Sequence, residues 1–393
     1  MVEQQYSFRA KLDYWLKHNK LFYRLFNVAA SCAMRIWGRF VKMDNNLVLF
    51  SAHSRKYNDS PKVLYEYMIS HPETYGQYKY VWALEDPEHS EMPGPALKIK
   101  TDTLGYFKTS LKAKYWITCV NIERSLHYKK KECRYLNTWH GTPIKYGGND
   151  CVGRQDYDFS SVDVYGYASE FEFITLKKAL GFTDSNSFPY GHPRNDELYH
   201  TTNEEINLIK NKLGIPQDKK IILYAPTWRD SADGGKTYAV KPPLDMAKIK
   251  KALSDEYVFL MRTHQYTNQL LGIGFDDFCR DFCSYPEVND LLKVSDILIS
   301  DYSAIIADFS IFERPILCFA YDYEEFKKTR GLYLDYFKEM PSGILRTDDD
   351  VIQYIQTMDF EEECKKTKTL LKEKFEKYGG NATESCLNKL FEK

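Results

Sequence analysis

The chain has 393 residues, 43% of them hydrophobic, which is enough for a large core and more than a single domain usually holds. Its 54 basic and 55 acidic side chains leave a net charge of −1, which excludes the global electrostatic field expected of a nucleic-acid partner. Nine scattered cysteines, with no CxxC pair and no histidines at metal spacing, exclude a zinc ribbon or a disulfide framework and predict reduced thiols.

Residues 1–42 differ from the rest. Eight Lys or Arg residues stand there against only Glu3 and Asp13, and they are interleaved with aromatic and aliphatic side chains such as Trp15, Phe22, Phe26, Trp37 and Phe40. The apolar run Leu25–Met34 is too short to span a bilayer, and no small-residue cleavage site follows it. The pattern predicts amphipathic helices lying peripherally on an anionic membrane face, with packing on the protein's own domain as the alternative.

From residue 43 to 188, apolar runs alternate with helical periodicity. Asn46–Phe50, Tyr78–Leu84, Tyr115–Cys119, Cys133–Leu136 and Val162–Ala168 read as strands; the segments after Pro61, Thr103–Leu111 and Phe171–Leu180 read as helices, the last ended by Gly181. Asp86–Pro95, with its prolines, reads as a loop. This rhythm predicts a parallel sheet flanked by helices, with ligands gathering at the carboxyl ends of the strands. One such end carries Trp139-His140-Gly141-Thr142-Pro143-Ile144. A histidine there can exchange a proton near neutral pH, and the glycine lets the backbone approach a ligand. A histidine hydrogen-bonded inside an ordinary tight turn is the competing reading. The Gly-rich loop Tyr146–Ser161 reads as a segment over a site, and its acids do not match a calcium loop.

Phe188–Asp196 is dense in turn formers and marks the passage to a second domain, 189–393. After the polar helix Asn203–Leu213, the strand Lys220–Tyr224 ends in Ala225-Pro226-Thr227-Trp228-Arg229, and Tyr257–Met261 ends in Arg262-Thr263-His264. Ile297–Ile299 ends in Ser300-Asp301-Tyr302-Ser303-Ala304, followed by a helix and the strand Ile316–Phe319. Ser303 either caps that helix or presents its hydroxyl to an anion at the helix N-terminus; the two roles are compatible. Asp348–Met358, Glu361–Tyr378 and Ala382–Phe391 read as closing helices. Arginine, histidine, tryptophan and a helix N-terminus at neighbouring strand ends are what a nucleotide diphosphate requires.

The ordered set WHGTP (139–143), GHPRND (191–196), YAPTWR (224–229), RTH (262–264) and SDYSAIIADF (300–309) closely resembles the CDP-glycerol glycerophosphotransferase family, the teichoic-acid primases and polymerases with relatives that use CDP-ribitol or build capsules. The resemblance covers about Leu47 to Tyr336. It implies a GT-B-like arrangement of two Rossmann-type domains facing a cleft, peripheral attachment at the cytoplasmic membrane face, and a lipid-linked glycan or polyol-phosphate acceptor. It also implies roles for particular residues. His140 matches the catalytic base and His264 a second histidine near the donor phosphates. Gly141, Thr142, Pro143, Ile144, Arg194, Thr227, Trp228, Arg262, Thr263, Ser303, Ala304 and Asp308 fall at CDP-polyol contact positions. Gln265 stands where the family usually has proline, and Ala304 where it often has a second serine. The lack of a DxD-like cluster sets the expectation of no metal and no cofactor, with Asp308 on a ribose hydroxyl or orienting the turn. A nucleotide-sugar glycosyltransferase, or a polyanion-binding module that releases no nucleotide, would share the layout; a serine hydrolase is excluded by the missing GxSxG elbow.

Overall fold

The computed structural model describes residues 19–152, 154, 156–227, 243–263 and 274–392. Two five-stranded sheets carry the chain. In the first, β1 (Asp44–Ser51), β2 (Lys79–Leu84), β3 (Leu97–Lys100), β4 (Ala113–Thr118) and β5 (Arg134–Asn137) lie in the order β3-β2-β1-β4-β5, every pair parallel. The short strands β6 (Tyr165–Gly166) and β7 (Ser187–Phe188) pair beside it, and Val164 bridges Leu136. In the second, β8 (Lys220–Tyr224), β9 (Tyr257–Met261), β10 (Cys279–Asp281), β11 (Ile297–Ser300) and β12 (Ile316–Cys318) repeat that order as β10-β9-β8-β11-β12, again all parallel. This is the GT-B-like pair of Rossmann-type sheets. Each has its topological switch point between its first and fourth strands, where a crevice opens at the carboxyl ends.

Both faces of each sheet are covered, which is why the central strands read as unbroken apolar runs. Along β1, Leu47 and Leu49 enter one core while Val48 and Phe50 enter the other, the two-residue alternation of a strand. Along β8, Ile221 and Leu223 face one core and Ile222 and Tyr224 the opposite one. The edge strands β3 and β10 escaped the sequence reading because they are short and partly exposed, so they lack the apolar signal. The helices Met246–Leu253 and Val288–Val294 were also unassigned. Val162–Ala168 contributes only the two residues of β6. Glu361–Tyr378 is not one helix: Phe360–Thr367 passes through a π-turn at Lys368–Lys372 into Glu373–Phe375.

The two units interlock. The closing helix Ala382–Phe391, assigned from sequence to the second domain, packs its Cys386, Leu387 and Leu390 into the first core beside Val48, Phe50 and Trp82. Arg134 Nη2 donates to the Lys389 carbonyl at 3.0 Å from the first sheet. Conversely, Ile144 leaves the first domain and is buried in a core of the second with Leu198, Tyr302 and Leu332. Residues 144–147 run beside 331–333: Tyr333 N donates to the Ile144 carbonyl at 3.0 Å and Tyr146 N to the Gly331 carbonyl at 3.1 Å.

At the amino end, the helix Lys20–Phe40 is capped by Asn19, whose side chain accepts from Phe22 N. It docks on the first domain through Ser31, which accepts from His127 N at 3.0 Å, and through Met34 and Trp37. Its other face leaves Leu21, Leu25, Val28 and Ile36 exposed, with Phe40 82% accessible. Among the described residues, no helix is long and apolar enough to cross a membrane.

Candidate active site

His140 sits just past the end of β5, at the carboxyl edge of the first sheet. Asn137 builds the turn: its Oδ1 accepts from Trp139 N at 2.9 Å and its Nδ2 donates to the Val120 carbonyl at 2.8 Å. Trp139 takes a left-handed backbone (φ 52) and anchors its ring near Phe159. That strain at a non-glycine residue is the kind of conformation a surrounding core must enforce. The His140 Nδ1 lies 2.8 Å from the Cys119 carbonyl. A carbonyl only accepts, so Nδ1 carries the hydrogen and the neutral ring keeps its lone pair on Nε2. Burial pushes the His140 pKa down to about 4, with His53 adding to the shift. At neutral pH the ring is therefore an uncharged base of fixed tautomer.

Gly141 has φ 123, and a Cβ there would meet Arg194 Nη2 at 2.7 Å and Ala304 Cβ at 3.2 Å. The glycine thus lets the histidine turn touch both the linker arginine and the turn after β11. Thr142 is buried, and its Oγ1 has no hydrogen-bond partner among the described residues. Pro143 is half-buried and Ile144 buried in the second core.

At the second sheet's switch point, the ends of β8 and β11 are laced together. Ser300 Oγ donates to the Ala225 carbonyl at 2.7 Å, and Asp301 Oδ1 accepts from Thr227 N at 2.7 Å and from Tyr302 N at 2.6 Å. Half-buried Ser303 accepts weakly from Ile305 N at 3.4 Å, ahead of a helix that spans only Ile305–Ser310. At the end of β9, Arg262 Nη1 donates to the Phe282 and Tyr285 carbonyls at 3.2 and 2.6 Å. It has no carboxylate partner among the described residues, and burial lowers its pKa. Such a guanidinium keeps charge and donors for an anion. Thr263 is buried against Cys283. Trp228 and His264, both expected at the site, lie outside the described residues, as do Arg229 and Gln265. Among the described residues, no three His, Cys, Asp or Glu side chains are grouped to hold a metal ion. A cavity of about 350 Å³ lined by Lys220, Tyr257 and Phe360 lies at the opposite, amino-terminal edge of the second sheet, away from these groups.

The resemblance implies donor contacts for Arg194 and Asp308; in the structure they hold each other. Arg194 Nη2 lies 2.9 Å from both Asp308 oxygens, and Nη1 lies 3.3 Å from Asp59 Oδ2. The arginine therefore ties the helix Asp59–Ser70 of the first domain to the helix after β11. Burial would raise the Asp59 pKa, but Arg194 overrides it and holds the carboxyl below its ordinary range.

Behind this clamp lies a buried ionisable cluster. His192 Nε2 stands 3.1 Å from Glu172 Oε2, and this carboxylate, against the penalty of burial, raises the imidazole to about 9. Glu172 also accepts from Tyr165 OH at 2.7 Å and Ala168 N at 2.8 Å. Glu376 accepts from Tyr199 OH at 3.1 Å; burial, with Asp308 and Glu172 nearby, raises it to about 8. A carboxyl whose folded pKa is raised favours folding only while protonated. Below pH 4.5 both folded and unfolded chains hold the proton; from there to about pH 8 the unfolded chain ionises first, and stability falls. Glu376→Gln is expected to match wild type below pH 4.5 and to be increasingly more stable up to pH 8, by about 2–5 kcal/mol. Urea unfolding of both proteins across that range reads the difference; parallel curves would show that Glu376 is ionised in the fold.

Sequence reasoning missed His53, Asp59, Glu172 and Glu376 as parts of this region, and left His192, inside the GHPRND motif, without a role. Only the Asn58-Asp59-Ser60-Pro61 stretch carried a local signal, since it opens a helix directly after β1.

The comparisons with known proteins agree with the geometry. The profile described as CDP-Glycerol:Poly(glycerophosphate) glycerophosphotransferase matches residues 32–392. A teichoic acid glycerol-phosphate transferase of Staphylococcus aureus is 32% identical over 335 residues, 80% of this chain and 85% of that protein. A teichoic acid poly(glycerol phosphate) polymerase of Staphylococcus epidermidis is 32% identical over 80% of this chain, but the chain spans only 45% of that protein. The solved wall teichoic acid polymerase TagF superposes with a TM-score of 0.77 at 27% identity, over 95% of this chain and 97% of that one. The chain belongs to the CDP-glycerol:poly(glycerophosphate) glycerophosphotransferase family.

Proposed function

We propose that the protein transfers glycerol phosphate from CDP-glycerol to a hydroxyl of a lipid-linked teichoic-acid acceptor, releasing CMP. The observation that carries this reading is a neutral histidine, its lone pair fixed on Nε2, one residue away from the glycine that touches the Ala304 turn. A variant of TagF soaked with CDPG supports CDP-glycerol as the donor class.

His140 Nε2 takes the proton of the acceptor hydroxyl as the oxygen attacks the β-phosphorus. The new P–O bond forms as the bond to the bridging oxygen breaks, and CMP leaves with the electron pair. Such a transfer depends mainly on positioning and on neutralising spread-out negative charge. Arg262, Thr142 Oγ1, Ser303 and the amide of Ala304 supply donors for the phosphates. His264 and Trp228 join them by resemblance, as do Thr227, Thr263 and Pro143. Donor charge brought beside His140 strengthens it as a base. The exposed apolar face of Lys20–Phe40, with Arg24, Arg35 and Arg39 on the same helix, fits an anionic membrane surface where a lipid-linked acceptor is presented.

One experiment tests both parts. The protein is mixed with anionic vesicles carrying a lipid-linked acceptor, and CMP release and product mass are followed with CDP-glycerol and with CDP-ribitol. CDP-glycerol is expected to be consumed, and removal of residues 1–42 to release the protein from the vesicles. Turnover of CDP-ribitol alone would transfer the reading to the ribitol branch. Absence of CMP with either donor would overturn the activity, and unchanged sedimentation of the shortened protein would overturn the membrane contact.

A further inference from the structure

The loop after β1 is built with more constraint than a simple connection needs. Ser54 and Arg55 both take left-handed backbones, φ 52 and φ 57, and neither is glycine. Arg55 pins the turn: its Nη2 lies 2.5 Å from Asp102 Oδ2, and its carbonyl accepts from Glu85 N at 2.8 Å. Two adjacent strained residues held by an ion pair indicate that the position of their neighbours is what the fold enforces. The neighbour is His53. Its ring is exposed, yet its centroid stands 5.0 Å from that of His140, tilted 44°. Cys119 links the two: its carbonyl accepts from His140, and its thiol lies against the His53 amide. Lys56, exposed on the same turn, makes no ion pair among the described residues. An exposed imidazole beside a buried catalytic one, with an exposed ammonium three residues on, offers hydrogen-bond donors to an anion next to the base.

The chemistry of a growing polyol-phosphate chain matches those donors. In such an acceptor the free hydroxyl is separated from the preceding phosphorus by three carbons and an oxygen, about 6 Å when extended with bonds of about 1.5 Å. We propose that the turn His53–Lys56 is the acceptor's phosphate subsite, where His53 and Lys56 hold the phosphodiester preceding the terminal glycerol and so place its hydroxyl at His140. This deepens the transferase reading and rests on it. It gives the site a preference for acceptors that already end in a glycerol phosphate over neutral glycan ends.

His53→Ala is tested with two acceptors, one ending in glycerol phosphate and one ending in a neutral sugar. Losing a hydrogen bond to a charged group is expected to raise KM for the phosphate-bearing acceptor about tenfold to a hundredfold, leaving KM for CDP-glycerol and for the neutral acceptor near wild type. His53→Lys should restore most of the lost affinity. A KM for the phosphate acceptor that does not move, or one that moves together with the donor KM, overturns the subsite. Binding of glycerophosphoglycerol, measured by calorimetry, needs no turnover: wild type should bind it and His53→Ala should not. Equal binding by both overturns the subsite even where transfer is seen. Binding lost in the variant, with no CMP released by wild type, retains the subsite and overturns the transferase reading.

Discussion

His140→Ala is expected to lower the rate of CMP release about 10²–10⁴-fold while CDP-glycerol still binds, because a positioned general base supplies that factor and little of the donor's affinity. The structure adds a sharper expectation than the residue type alone. An ordinary histidine base, titrating near 6.5, would lose about tenfold in activity by pH 5.5. Burial places His140 at about 4, so kcat/KM for the donor, which reports the free enzyme, should stay nearly level down to pH 5.5 and fall only as pH drops towards 4. Steady-state rates across that range, with donor affinity of the alanine variant by calorimetry, check both statements. A variant near the wild-type rate removes the base assignment. A wild-type acidic limb near 6.5 would mean that His140 is solvated in the free enzyme.

The second large effect is structural. Among the described residues, Arg194 is the one side chain that pairs with carboxylates from both units, Asp59 and Asp308, and all three are largely shielded from water. Removing it as Arg194→Met leaves two buried carboxylates without their counter-charge, which typically costs about 3–5 kcal/mol. The loss should appear as a lower urea midpoint. Much of it should return in Arg194→Met combined with Asp59→Asn and Asp308→Asn, since the cost lies in the stranded charges. If the single variant is as stable as wild type, the guanidinium is solvated and available to the donor, as the family resemblance implies. If the combined variant recovers nothing, the cost came from packing along the arginine stem instead.

The sheets were legible because their central strands, such as Ile221–Tyr224 and Tyr257–Met261, are buried on both faces and therefore uniformly apolar. The loops carrying the candidate residues were legible through their motifs and their position at strand ends. What sequence could not reveal was exchange between the units. Ile144 reads as the tail of a turn, yet its partners Leu198, Tyr302 and Leu332 lie far along the chain in the second core, and the closing helix returns to the first sheet. No local periodicity encodes which sheet a helix chooses. The same holds for charge. Arg194 and Asp308 read as separate donor contacts, the aspartate on a ribose hydroxyl or orienting the turn, and only three-dimensional placement shows them neutralising each other. Glu172 and Glu376 carried no signal, and His192 stood in the GHPRND motif without a role of its own, because a lone acid or histidine in a helix or turn looks solvated until its burial is known.

The central claim is that His140 from the first unit and Arg262 with the Ser303–Ala304 turn from the second act on a single donor diphosphate. The most direct measurement is a crystal structure of the full chain as His140→Gln with CDP-glycerol bound. The account predicts the β-phosphate between residue 140 and the Ser303–Ala304 turn, with Arg262 on its oxygens and the His53–Lys56 turn left open for the acceptor. A diphosphate bound away from residue 140, contacting only the second unit, would contradict it.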